Sequence, residues 1–344
     1  MIIQLSKPMT KLQRIISNTV IFRFLQNRSR KIILPGFNGV ALYDVTNFFI
    51  KQLKKTSLTE RAAAVSYNFI MAIPPICLFL FTLIPHLPFV KKRALEFQVN
   101  KLITDIIPAK EHNKNLINFV NGFLEHPRIG LLSFGFILLL FFGSNGMMGI
   151  MRSFNKNYMG ARQRTGLKKR WIAIRLTLLI MSLLLACLLL LIMQGVVLKW
   201  LGITNVSVLK VIAMVRWAFI ISLIFYSIAF IYKYAPDINK KWRLVSPGSI
   251  LATSLSIIGT IGFSLFVNNF GKYDALYGSI GTVIVLMSLI YINSLILLVG
   301  YELNVSIHSL QNMAAGPPQG AGSQKQELSS GQKQEPKKQK MPRS

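Results

Sequence analysis

The sequence predicts an all-α, polytopic membrane protein with six transmembrane helices, preceded by amphipathic helices lying in the membrane interface. Three observations carry this reading. Of the 344 residues, 52% are apolar and only 15% charged, with a mean hydropathy of +0.47, whereas water-soluble domains carry about 25% charged residues. Apolar runs of about 20 residues, enough to cross ~30 Å of hydrocarbon, recur six times along the chain. Most of the charges are gathered in short blocks between those runs. Length alone would admit two soluble domains; this patterning excludes them.

Residues 1–60 form the segment before the first span. The first 35 residues do not read as a cleavable signal, because Lys11, Arg14, Ser17 and Asn18 interrupt Leu12, Ile15, Ile16 and Val20. Their spacing is that of an amphipathic helix. A second such stretch sets Leu42, Val45, Phe48, Phe49 and Leu53 against Asp44, Lys51, Lys54 and Lys55, and both stretches are expected at headgroup level. The transmembrane domain, 61–305, holds spans at about 62–85, 129–151, 173–198, 208–232, 247–270 and 276–300. Between the first two, 86–128 carries Leu95, Val99, Leu102, Ile103, Ile106 and Ile107 at helical spacing. That connection predicts two short amphipathic helices at the outer mouth. The basic tail, 306–344, is rich in Gly, Pro, Gln, Ser and Lys from Gly316 onward and is expected to be disordered.

The net charge of +29 is largely a topology signal. Of the 40 Lys and Arg, 29 fall in the segment through Arg61, the 152–175 block, the 233–243 loop and the tail, against ten in the alternate connections. The positive-inside rule therefore puts both termini in the cytoplasm. Anionic lipid headgroups are the expected partners, no nucleic acid is expected, and self-association is compatible with the pattern.

Cys77 and Cys187 lie inside apolar runs, which excludes a disulfide scaffold and a zinc site. His86, His112, His126 and His308 have no metal-ligand spacing, and GxSxG, HExxH, Walker A and GxGxxG are all absent. No cofactor and no metal are expected. The reading is of a protein that is not an enzyme and has no ATPase of its own.

An ionisable group in hydrocarbon costs on the order of 2.5–3.5 kcal/mol even on a forgiving scale, so each one needs a reason. Arg216 falls inside the fourth span. It either snorkels to the outer headgroups beside Trp217 or grips an anionic group in a cavity, with Asn268, Asn269, Tyr273 and Tyr277 at the same end as neutral partners; Asn145, among the glycines of the second span, is a separate candidate for a substrate or gating group. A second polar layer is expected at the cytoplasmic end: Glu60 and Arg61 open span one, Arg152 and Asn155 close span two, Arg175 begins span three, and Glu302 with Asn304 closes span six. Glu302 should pair with one of the three arginines, either as a clamp or as an inner gate. Pro74 and Pro75 should kink span one, beside a second span whose Gly143, Gly146 and Gly149 allow close helix approach.

The last two spans contain the most specific text, from Pro247 to Asn304. Tyr273, Tyr277, Gly278, Ser279, Gly281, Tyr291, Gly300, Glu302 and Asn304 resemble the YihY/BrkB family of bacterial inner-membrane proteins, which end with an aromatic-YGS run and a final LLxGxExN. TERAAAVSYNFIMAIPP from Thr59 and RSFNKNY from Arg152 agree, while Ile290 stands where relatives usually carry tryptophan. The resemblance covers roughly residues 40 to 310. It implies a six-span protein of the bacterial inner membrane, described as a transporter or as virulence-associated. The older label of that family, ribonuclease BN, is regarded as misassigned, and the residues agree: a ribonuclease needs a metal cluster or a His/Lys acid–base pair reachable from the cytosol, and the expected cytosolic side offers one histidine, His308. The expected role is transport or flipping of a solute or lipid, with an anionic one in view. The alternative is a non-transporting scaffold that binds anionic lipids or partner proteins, and an enzyme acting within the membrane comes third.

Overall fold

The computed structural model describes residues 32–37, 39–86, 129–155, 165–200, 206–238, 242–269 and 279–314, with 30, 100, 117 and 122 as isolated positions. Among them are seven α-helices and no strand: α1 (Leu42–Lys55), α2 (Leu58–Leu83, continued by a 3₁₀ turn to His86), α3 (Ile129–Asn155), α4 (Gly166–Trp200), α5 (Val206–Tyr234), α6 (Pro247–Asn269) and α7 (Ser279–Ala314). All but α1 are long and apolar enough to cross a membrane. The first amphipathic stretch, the two helices expected in 86–128 and the tail from Gly316 lie outside the described residues.

Helix ends depart from the hydropathy limits for a simple reason. A helix continues as long as its backbone ladder is satisfied, whatever its side chains prefer. Thus α4 begins within the basic block, where Lys169 N donates to Thr165 O at 3.0 Å, and α7 runs past Glu302 and Asn304 to Ala314. α2 is continuous through Pro74 and Pro75. α1 covers the second amphipathic stretch, with Val45 buried and Lys54 and Lys55 in its last turn.

The described residues divide into two units. In the first, up to Phe49 and from Val305, Phe37 is buried in a turn closed by Phe37 N to Leu34 O and Leu42 N to Ile32 O, and Gln311 Nε2 donates to Phe37 O at 3.4 Å. Gly36 and Gly39 sit at φ 92° and 89°, which only glycine adopts without strain. The second, Ile50–Asn304, contains the spans up to the last turns of α7. Its apolar centre joins Leu80, Leu139 and Met181 from α2, α3 and α4. Small residues let the helices approach: a Cβ at Gly135 would stand 3.3 Å from the Phe79 backbone, one at Gly149 3.0 Å from Asn68 Nδ2, and one at Gly143 2.7 Å from Thr177 Cγ2. One side of α3 therefore packs on α2 and another on α4. Large apolar side chains such as Met214, Ile258 and Ile129 remain exposed, which suits acyl chains and not water.

Candidate functional site

Where α2 begins and α3 ends, and about three turns before the end of α7, a charged pair is buried. Arg61 Nη1 donates to Glu302 Oε1 at 2.7 Å, with side chains 3% and 1% exposed. The other arm of the fork, Nη2, donates to Ser153 O at 2.6 Å near the end of α3. One guanidinium therefore ties three helices. Arginine suits this because its planar fork presents donors in two directions at once. The interaction of the two full charges offsets part of a desolvation cost of several kcal/mol per ion.

The residues that follow Ser153 and precede Glu302 belong to an aromatic cluster. Tyr301, next to Glu302, stacks on Phe154 with centroids 3.8 Å apart and planes within 3°, and its hydroxyl donates to Phe154 O at 3.2 Å. Tyr232 of α5 lies edge-on to Phe154 and donates to Leu297 O at 2.6 Å, and Trp242 lies 5.3 Å from Tyr301. With both side chains buried, the local dielectric is low and the attraction between the charges is stronger than it would be in water.

A hydrogen-bonded hub lies beside it, built from the start of α6. Ser246 is the N-cap: Ser249 N donates to Ser246 Oγ at 3.2 Å, and Ser246 N donates back to Ser249 Oγ at 3.0 Å. This is a capping box with serine at both ends and Pro247 at the first helical position. Asn304 Oδ1 accepts from Gly248 N at 2.8 Å, and its Nδ2 donates to Ser246 Oγ at 2.9 Å. The two helices touch backbone to backbone here. A Cβ at Gly248 would overlap the Gly300 carbonyl oxygen, and one at Gly300 would lie 2.5 Å from the Tyr232 hydroxyl.

Of the three arginines considered for Glu302, the structure selects Arg61. Arg152 and Arg175 are exposed, Arg175 lying over the Trp171 ring at 5.3 Å, and Glu60 is exposed too. Asn155 accepts from Asp237 N at 3.0 Å, and Asn304 belongs to the hub. Asn145 is bound by Arg170, whose Nη1 donates to its Oδ1 at 2.5 Å. Arg216 is half-buried with its guanidinium 5.7 Å from the Trp217 ring centre. The side chains of Asn268 and Asn269, and Tyr273 and Tyr277 entirely, lie outside the described residues.

Sequence reasoning passed over Arg170, Asp237, Tyr232, Tyr301 and the Ser246–Ser249 cap. Only the cap left a local signal, Ser-Pro-Gly-Ser ahead of an apolar run. The aromatic residues read as ordinary apolar matter. Arg170 read as one more loop cation.

Six long apolar helices and a buried ion pair tied to three of them define a polytopic α-helical membrane protein. The family model for virulence factor BrkB matches residues 49–326, and the chain belongs to that family. The chain is 30% identical over 273 residues to the ribonuclease-like protein YfkH of Bacillus subtilis, covering 77% of this chain and 97% of that protein. It is 23% identical over 285 residues to a UPF0761 membrane protein of Alteromonas mediterranea, covering 79% and 90%, and 21% identical over 270 residues to one of Haemophilus influenzae, covering 77% and 95%. The resemblance seen in the sequence is thereby borne out. No solved structure matches the chain.

Proposed function

We propose that the protein is a membrane transporter or flippase in which the Arg61–Glu302 pair latches one end of the helix bundle. The observation that carries this is the burial of that pair across α2, α3 and α7. A buried ion pair is often no more stabilising than well-packed apolar residues of the same volume, whereas ionisable groups within membrane spans commonly mark a solute path. The pair of prolines inside the unbroken α2, packed on the glycine-bearing face of α3, adds support, since each proline removes a backbone donor and leaves a carbonyl free within the span. The cargo class is a solute or lipid bearing an anionic group. Both termini face the cytoplasm of the bacterial inner membrane in this reading, on the 29-to-10 charge asymmetry. In this reading the role is not enzymatic, and the ribonuclease-like name of the Bacillus relative is not carried over, since the sequence has none of GxSxG, HExxH, Walker A or GxGxxG.

The full chain reconstituted in liposomes tests this, with a fluorescent-lipid scrambling assay run beside anion and proton flux. Transport or scrambling above protein-free vesicles is expected, and it should vanish in an Arg61→Met/Glu302→Leu variant that is produced at wild-type levels. The tight stacking of Tyr301 on Phe154 beside the pair favours a second reading, a static clamp in a scaffold. A wild-type protein without flux would put that reading first, and RNA cleavage by purified protein would overturn the non-enzymatic assignment.

A further inference from the structure

The sequence contains no Asp or Glu between Glu125 and Asp237, yet α3 and α4 carry Arg152, Lys168, Lys169, Arg170 and Arg175. Neither helix can neutralise its own cations. Arg170 is the most demanding of them. It reaches across to the middle of α3, where Nη1 donates to Asn145 Oδ1 at 2.5 Å and lies 3.5 Å from Met148 Sδ, and Nη2 donates to Phe141 O at 3.3 Å. Every one of these partners is neutral. Asn145 precedes Ser153 by eight residues, about 12 Å along the helix at 1.5 Å per residue, while Arg170 stands only four residues from the start of α4, so the half-buried guanidinium reaches from the cation-rich beginning of α4 back along α3. A full charge half-buried among neutral groups calls for an opposite one.

The surroundings say what kind of anion fits. The guanidinium lies 5.3 Å from the centre of the Phe141 ring, which is 54% exposed. Next to it on α4, Trp171 is 56% exposed and carries Arg175 over its ring, and Leu178 is exposed about two turns further on. Cationic groups edged by bare apolar surface match an amphiphile. Free phosphate would satisfy Arg170 and leave Phe141, Trp171 and Leu178 uncovered; a phospholipid covers both. We propose that the α3–α4 seam binds the phosphate of an anionic phospholipid, anchored by Arg170 against Asn145 and Phe141, with its acyl chains lying along the exposed faces of the two helices. This site is separate from the Arg61–Glu302 latch and holds whether or not the protein transports.

Tryptophan quenching by brominated lipids tests it. The full chain is placed in phosphatidylcholine vesicles with a minor fraction of phosphatidylglycerol, and the bromines are carried by one lipid or the other. Brominated phosphatidylglycerol should quench about five-fold more effectively per molecule than brominated phosphatidylcholine, the preference one interfacial cation gives for an anionic lipid. Trp171→Phe should remove that excess. Arg170→Gln, which keeps an amide to bond Asn145, should bring it close to parity, while Lys51→Gln on α1 should leave it intact. Equal quenching by the two lipids in the wild type, or an excess that survives Arg170→Gln, would overturn the proposal. So would displacement of the lipid by inorganic phosphate, which would identify a site for the free ion. Should Arg170→Gln fail to accumulate, the Trp171→Phe comparison and the phosphate competition decide the question with the native arginine in place.

Discussion

Replacing Glu302 by Gln removes one charge and almost no volume, so it isolates the electrostatic worth of the buried pair. Arg61 keeps its 2.6 Å bond to Ser153 O and gains a neutral amide oxygen in place of the carboxylate. Its charge, on a side chain 3% exposed, then has no counter-charge from its former partner at 2.7 Å. Breaking a buried pair from one side costs about 3–5 kcal/mol. Removing both charges avoids the stranded ion, so Arg61→Met/Glu302→Leu should recover most of that loss. The assay is thermal unfolding of the purified protein in detergent, read beside membrane yield. The expected order is wild type and the double variant close together, with Glu302→Gln and Arg61→Met each clearly below. A Glu302→Gln protein as stable as wild type would refute the reasoning, since the carboxylate would then not be compensating a buried charge.

Other substitutions probe the packing and the hub. Gly143→Ala should cost about 1–3 kcal/mol through overpacking against Thr177 Cγ2, and Thr177→Ser, which lacks that methyl, should rescue it in the same unfolding assay. Gly262→Ala, whose Cβ would meet nothing within 4 Å, should be neutral or raise stability by about 0.5–1 kcal/mol through the lower entropy cost of alanine in a helix. Ser246→Ala should lower stability by about 1 kcal/mol for the lost cap, and by roughly 1–3 kcal/mol more because Asn304 Nδ2 loses its acceptor. Arg216→Lys keeps a charge beside Trp217 on a flexible stem; normal membrane yield and normal flux are expected if the arginine anchors to headgroups, whereas normal yield with lost flux would mark it as a cargo ligand.

Much of the architecture was legible because a bilayer imposes a length and a polarity that a one-dimensional reading can measure. The helices α2, α3, α5 and α6 lie close to the expected spans. The limits of α4 and α7 were harder to read, since hydropathy marks where side chains leave hydrocarbon and says nothing of where the backbone ladder stops. At the site, Glu302 and Asn304 stood out because polar residues ending an apolar run are conspicuous. Arg170 did not, because three adjacent cations after a loop look alike until one of them is seen to turn back onto α3.

By itself the sequence determined the class of protein, the number of long apolar helices, the family and the short list of arginines able to meet Glu302. Each of these follows from local composition or spacing, which the chain carries in one dimension. Tertiary structure alone decided that Arg61, and not Arg152 or Arg175, is the partner, that Asn304 holds the start of α6, and that Gly248 and Gly300 meet backbone to backbone. Residues 241 positions apart become neighbours only when helices take particular rotations and crossings. Those are set by the shapes of whole interfaces, in which a glycine or a stacked ring counts as much as a charge.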